Sequence, residues 1–511
     1  RAAPSLRETQ THLPTSITEK TIATCYCNLR KNFIYQVAYQ VLIILIPMVT
    51  APYISRTIGA NGVGIYSYTY SIASYFVLVA KLGIEVYGNR AIAAVRDDKE
   101  KLNQTFSDLL FIHVFFAFLV VLVYIGYAFV YPSEYTNIVF IQILYVIGEM
   151  IEVDWLFFGL EKFRVTVTRN SIIKLLTLVA IFLFVKDSND VWVYCAIMAA
   201  GTALSQTAVW IFVPSCVKFV KPNFKDAFSH LKPLITFFIP SIAVSLYKVM
   251  DKIMLGAMSS TVEVGFYENS EKIVTMVLGL VTALGTVMMP RMTNLAAKGN
   301  EEQSKKIINT SMNFIMILTL AMAFGIVGVS KVFMPVFFGD EFASCYILVM
   351  IIAISMPFCA FANVLRTQFL IPNNHDRIYQ GSVISGAVLN LIVNATLIPF
   401  LGAQGAAIGT VVAEGSVCVI QGFFSRKWLP IWRYIRNAIP YLVYGIIMAI
   451  AVYGIGMLMG ISIMTLVVQV LVGVIIYGVL ALLHLCRSHD EIWNMAIQML
   501  SSGMRKLKKK Q

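Results

Sequence analysis

The chain has 511 residues, of which 58% are hydrophobic and only 13% charged. Soluble domains carry about 25% charged residues, and no soluble fold has enough interior to hide this much apolar surface. A water-soluble enzyme or binding module is therefore excluded, and the excess must face lipid. The net charge of +13 would suggest nucleic acid in a soluble chain; in a membrane chain its placement decides its meaning.

In chain order, residues 1–30 come first. They are polar and lack the apolar core of a signal peptide, and the membrane pattern starts abruptly after Leu29-Arg30-Lys31-Asn32. They are expected to be a disordered or non-native extension, with Leu29 as an alternative bacterial start. Fourteen apolar runs follow, at 34–54, 65–85, 107–130, 138–158, 170–185, 191–217, 234–256, 267–290, 309–329, 344–363, 380–399, 404–424, 439–457 and 462–485. Each approaches the ~20 residues that a helix needs to cross ~30 Å of hydrocarbon. None alternates with the period of a barrel strand, so the fold class is an all-α integral membrane protein. Residues 487–511 close the chain as a basic tail.

Loop charge orients the bundle. The loops after even-numbered spans carry 21 Lys and Arg, the alternate loops only Arg56, Lys186 and Lys331. By the positive-inside rule both termini are cytoplasmic, and the tail Arg505-Lys506-Leu507-Lys508-Lys509-Lys510 is suited to anionic headgroups. The positive charge is thus topological, and no nucleic-acid partner is implied. The eight cysteines form no CxxC pair and the histidines do not cluster, so no metal site or disulfide framework is expected. There is no Gly-Lys dipeptide, hence no Walker A loop and no built-in ATPase. With no cofactor expected, any transport must draw on a gradient, with H⁺ or Na⁺ as candidate coupling ions, or on an external motor. External loops of about fifteen residues at most leave no room for a catalytic domain, so an enzyme is not expected.

A weak internal repeat divides the chain. Val63-Gly64-Ile65-Tyr66 and Val264-Gly265-Phe266-Tyr267 each open a span from outside, and at the same offset Ile72, Val86 and Arg90 meet Ile273, Val287 and Arg291. Six spans separate the two copies, an even number, so the halves run in the same direction. This predicts two pseudo-symmetric six-helix lobes, 31–220 and 230–430, with two additional helices at 436–486. Such lobes suit alternating access around a central cavity. Pro47 and Pro240 fall in the first helix of each lobe and are hinge candidates.

Charges inside spans are costly, about 2.5–3.5 kcal/mol each at the bilayer centre, and normally face protein or water. Lys81, Lys174, Lys248 and Lys252 are candidate cavity cations for an anionic substrate. Lys248 and Lys252 lie four apart on one helix face, with Asp251 expected on the same side. Asp251, Glu414, Glu149 and Glu152 are candidate charge partners or coupling acids. Lys272, Glu268 and Glu271 read as a structural group near an outer end, and His113 as a hydrogen-bonded helix residue rather than a proton relay.

Three stretches carry a family resemblance: Pro47 to Tyr66; Asp154-Trp155-Leu156-Phe157-Phe158-Gly159-Leu160-Glu161-Lys162-Phe163 with Arg169-Asn170 and Lys174; and Asp251-Lys252-Ile253-Met254-Leu255-Gly256 with Val264-Gly265-Phe266-Tyr267. With them the chain resembles the bacterial polysaccharide transport flippases, of the superfamily that includes multidrug and toxin extrusion antiporters and lipid II flippases. Relatives often have glutamine where Phe158 stands. The resemblance implies a flippase carrying undecaprenyl-pyrophosphate-linked oligosaccharide repeat units across the bacterial plasma membrane, for capsule, O-antigen or teichoic-acid synthesis. It also implies that cavity cations bind the pyrophosphate while the polyprenyl tail stays in lipid, and that a polysaccharide polymerase and assembly machinery are partners. The alternatives are a cation-coupled multidrug exporter and a lipid II flippase.

Overall fold

The structure is a computed structural model that describes residues 15–130 and 134–488; side chains are described over 42–487 except at 44, 131–133, 239–241, 243, 244 and 246–248. Every long element among the described residues is helical. The first helix, α1 (Thr15–Lys81), is two arms joined at Gly59, whose φ of 68° and ψ of −178° break the helix. That combination is open to glycine because it has no Cβ. Pro47 and Thr50 from one arm line the same hollow as Tyr70 and Ser74 from the other, so the chain folds back there as a hairpin. Pro47 lies inside continuous helix; the break expected at the proline falls instead at the glycine. Pro240 and Lys248 lie outside the residues with described side chains.

The polar start, expected to be disordered, is helical from Thr15. Once the apolar arm has formed, nucleation is already met and each further residue extends the helix at little cost. Residues 1–14 and the basic tail beyond 488 lie outside the described residues.

The remaining helices are α2 (Ile84–Val95), α3 (Lys99–Val130), α4 (Thr136–Met150), α5 (Asp154–Gly159), α6 (Phe163–Phe184), α7 (Val191–Val209), α8 (Phe224–Ser229), α9 (Leu231–Met258), α10 (Thr261–Ala297), α11 (Glu301–Phe338), α12 (Tyr346–Ala353), α13 (Ser355–Leu365), α14 (Asp376–Leu401), α15 (Ala403–Ser425), α16 (Ile431–Met459) and α17 (Ile463–Ser488). Among the described residues, twelve helical runs are long and apolar enough to cross a membrane. Counting the arms of α1 separately and adding the 28-residue α9 gives the fourteen that hydropathy predicts. Val123, Leu176, Val419 and Val474 sit mid-helix with more than 60% of their surface exposed. In a soluble protein such side chains would be a liability; here they are the lipid face of a multi-pass membrane protein.

Helices pack in two groups. In the first, α4 lies against α1, α3 and α7, α6 against α1 and α7, and α2 against α5. In the second, α14 pairs with α15 and α9, and α13 with α11 and α15. The helices α16 and α17 dock on α11. The groups meet along one seam, α1 against α9 and α10, with α2 touching α9. The connection between them is held to the start of α3: the Lys218 and Asn223 amides donate to Asn103 Oδ1 (2.8 Å) and Asp108 Oδ1 (2.7 Å).

Both ends of the seam are closed. At the Gly59 end the repeat-related Gly64 and Gly265 face each other: a Cβ on Gly64 would collide with the Thr261 carbonyl, and one on Gly265 with the Ala60 carbonyl. Around them Arg56 Nη2 donates to the Val336 carbonyl (2.5 Å), the Ala60 amide to Glu341 Oε2 (3.1 Å) and Thr261 Oγ1 to Asn61 Oδ1 (2.6 Å). At the Lys81 end, Gly83 sits against the backbone of Leu234 and Phe238. There Tyr87 Oη lies 2.7 Å from His230 Nδ1, and the Arg90 guanidinium lies 5.0 Å over the Phe237 ring.

Candidate functional site

Between these two ends the helix groups line a cavity of about 720 Å³. The α1 hairpin, α4, α6 and α7 form one wall, and α9 and α10 the other. One part of the first wall is aromatic. Tyr66 Oη and Tyr145 Oη lie 3.0 Å apart. Tyr66 stacks on Tyr70 at 5.6 Å between centroids, and Tyr194 and Tyr145 meet Tyr66 and Tyr70 edge-on at 4.8 Å. The turn of α1 at Gly59 is what brings Tyr66 and Tyr70, one helical turn apart, to face α4 and α7. The other part is hydroxyl and amide: Ser67, Ser71, Ser74, Asn170, Thr177, Thr202, Ser205 and Gln206.

The opposite wall is charged. Lys252 Nζ lies 2.6 Å from Glu268 Oε2 and 3.0 Å from Glu271 Oε2, and Lys272 Nζ lies 3.1 Å from Glu268 Oε1. Lys252, Lys272 and Glu268 line the cavity, and Lys174 faces them from α6. With Glu271 behind Lys252, the set keeps an excess of one positive charge. Lys252, expected beside Asp251, is instead held by Glu268 and Glu271; a buried ammonium requires such partners if it is not to lose its charge or its place. Lys272 and Glu268, read from sequence as peripheral, line the cavity, and Glu271 stands behind them as the second partner of Lys252; their spacing of three and four on one helix face was the available signal.

Asp251 is not beside Lys252. It is buried inside the second helix group, where Tyr267 Oη (2.6 Å), Thr410 Oγ1 (2.9 Å) and Asn394 Nδ2 (2.5 Å) all donate to its carboxylate. Adjacent residues on a helix diverge by 100°, so one carries its side chain to the cavity and the next to the α14–α15 interface. Asn394 Oδ1 and Asn390 Nδ2 in the same nest have no partner.

Four further candidates also lie outside the cavity wall. Lys81 sits at the far end of α1, 3.2 Å from Glu85 and 3.9 Å from Glu149. Glu149 and Glu152 are buried with His113 in the first helix group. Glu414 lies against Cys359 of α13, within the second group. Beside the cavity, Arg169 grips Asp154 through two hydrogen bonds of 2.9 and 2.8 Å, and contacts Asn170 Oδ1, which also accepts from Ser205 (2.8 Å). The sequence stretch Asp154…Arg169-Asn170…Lys174 is thus one unit that sets the α6 wall.

This architecture, two helix groups meeting around a hollow lined by tyrosines, hydroxyls and charged side chains inside a lipid-facing shell, is that of a membrane transporter. The fold is similar to that of the lipid II flippase MurJ in an inward closed conformation (TM-score 0.69, 13% identity, 90% of this chain and 99% of that chain). It also resembles an inward-facing MATE-family multidrug resistance transporter (TM-score 0.54, 14% identity, 77% and 99%). The family described as polysaccharide biosynthesis protein matches residues 29–296, and the chain belongs to that family. It is 24% identical to a protein of Escherichia coli K12 described as an O-antigen transporter, over 78% of this chain and 97% of the relative. It is 25% identical to a protein of Haloferax volcanii described as the low-salt glycan biosynthesis flippase Agl15, over 59% and 64%.

Proposed function

We propose that the protein is a flippase that moves a polyprenyl-pyrophosphate-linked oligosaccharide across the bacterial plasma membrane, from the cytoplasmic to the outer leaflet. The observation that carries this reading is the composition of the two cavity walls. Sugars offer apolar ring faces and many hydroxyls, and tyrosine faces flanked by Ser, Thr, Asn and Gln match both. A pyrophosphate needs cations in a low-dielectric setting, where Lys174, Lys252 and Lys272 act strongly. The glycan transporters among the relatives support the same cargo. A multidrug exporter for cationic compounds is disfavoured by the excess positive charge.

The mechanism follows from the closed seam. The helix groups, corresponding to lobes 31–220 and 230–430, rock against each other and open one end at a time: the Gly64–Gly265 contact is the fulcrum while the Lys81 end opens, and it separates when the Gly59 end opens. Loop charge places the Lys81 end and both termini in the cytoplasm. The headgroup enters there, binds, and leaves when the Gly59 end parts, while the polyprenyl tail stays in lipid. Asp251 is the coupling acid: its ring of donors holds the carboxylate, and an H⁺ or Na⁺ would compete with them and repack α9 against α14 and α15. A polymerase that consumes the delivered repeat unit is the expected partner.

The test is translocation of a defined lipid-linked glycan in proteoliposomes. Replacing Lys174 and Lys252 together by Met should slow flipping at least about tenfold, as charge-assisted contacts are worth about 1.5–3 kcal/mol each. Wild-type rates in the folded double variant would refute the cavity as the path.

A further inference from the structure

The first helix group holds a buried polar cluster that the cavity does not use. His113 of α3 is 1% exposed, and Glu149 of α4 and Glu152, just beyond its end, are 6% exposed. One ligating atom from each lies within 4.8 Å of the others. His113 Nε2 is 2.9 Å from the Glu149 carbonyl oxygen. A carbonyl can only accept, so Nε2 carries the ring hydrogen and Nδ1 presents a lone pair. Among the described residues that Nδ1 has no partner, and neither does Glu149 Oε1.

Two carboxylates and a bare imidazole lone pair in one dry space are unstable together. Like charges this close do not both ionise in a low dielectric, and an unsatisfied buried acceptor is costly. The charged groups on the surrounding elements do not resolve this. Asp154 of α5 is matched by Arg169 of α6 through a bidentate contact. Lys81 of α1 is shared between Glu85 of α2 and Glu149. One carboxylate therefore stays uncompensated.

We propose that His113, Glu149 and Glu152 form a proton-binding site, in which one carboxyl group of the pair holds a proton and its O–H donates a hydrogen bond to His113 Nδ1. A single O–H satisfies the lone pair, removes the repulsion and leaves Lys81 to balance the remaining charge. Lys81 and the exposed Glu85 connect the site to water at the Lys81 end, so protons exchange with that side in this conformation. A divalent cation fits less well, because the Lys81 ammonium stands 3.9 Å from Glu149 and would repel it. The site is separate from the cavity, and the proposal does not depend on what the cavity carries.

The test is infrared difference spectroscopy on the full chain in nanodiscs, stepped from neutral to alkaline buffer. A protonated-carboxyl band should vanish on the alkaline step, and should be missing from both Glu149→Gln and Glu152→Gln. His113→Gln keeps a donor for the Glu149 carbonyl but replaces the basic ring nitrogen with an amide oxygen, a weaker acceptor, and should shift that band to higher frequency. A structural role alone would not move it. Absence of the band in the wild-type protein overturns the proposal even if a variant fails to fold. So does a band unchanged in either Gln variant, or stoichiometric Mn²⁺ or Zn²⁺ binding that those variants lose. None of these readouts requires transport, so a failed flippase assay would leave this result standing, and the reverse.

Discussion

The two ends of the seam are closed by different means. At the Gly59 end, closure is backbone on backbone, with two glycines from equivalent points of the repeat in mutual contact and three hydrogen bonds around them. At the Lys81 end, one glycine approaches the α9 backbone, and the rest is a phenol–imidazole contact and a guanidinium over a ring. The first arrangement is symmetric and tolerates no added atom. The second is asymmetric and made of side chains that can swing away. The Gly59 end therefore reads as the fulcrum of this state, and the Lys81 end as the door.

The strongest way to break this contrast is Gly64→Leu or Gly265→Leu. Overpacking costs about 1–3 kcal/mol, which would shift the closed-to-open ratio by about fivefold to about 150-fold. A cysteine at Ser55, whose hydroxyl accepts from Asn269 across the seam, should then label readily with an impermeant reagent added from the Gly59 side. Unchanged labelling would show that the glycines are not the closure. Tyr87→Phe removes a single hydrogen bond at the other end, worth about 0.5–1.5 kcal/mol. It should raise labelling from the Lys81 side several-fold and leave the Gly59 side unaffected.

Acid gives the smallest and sharpest test. Burial lowers the His230 pKa below its usual value, against the opposing pull of Asp108 and Asp226. A histidine held neutral when the latch is closed takes up protons more readily once exposed. The closed latch therefore weakens as pH falls through about 6.5, the ordinary histidine value, and is indifferent to pH above it. Labelling at the Lys81 end should rise on acidification in the wild type and show less pH dependence in His230→Gln. A pH response confined to the Gly59 end would invert the comparison.

Much of this was legible in the chain. Apolar runs located the crossings, because lipid contact is a property of each segment alone. The Val-Gly-x-Tyr repeat marked the two positions that meet at the seam. Side-chain direction was harder to read. Lys252 and Asp251 are neighbours in sequence, yet one faces the cavity and the other the α14–α15 interface, which depends on which helices flank α9. Lys81, Glu149 and Glu152 were singled out as buried charges, but depth alone does not say which hollow a charge faces. The tyrosine wall escaped notice because aromatic residues are common in membrane helices, and Tyr66, Tyr70, Tyr145 and Tyr194 come together only when the α1 hairpin packs on α4 and α7.

The central claim is that glycan passes between the tyrosine and lysine walls. It is tested most directly by placing a photocrosslinking residue at Tyr70, which lines the cavity, and in a second variant at Val123, which is 64% exposed on the lipid face. With a sugar-labelled polyprenyl-pyrophosphate glycan in the membrane, the account predicts a sugar-bearing adduct at residue 70 and none at 123. Adducts at both positions alike, or at 123 only, would contradict it.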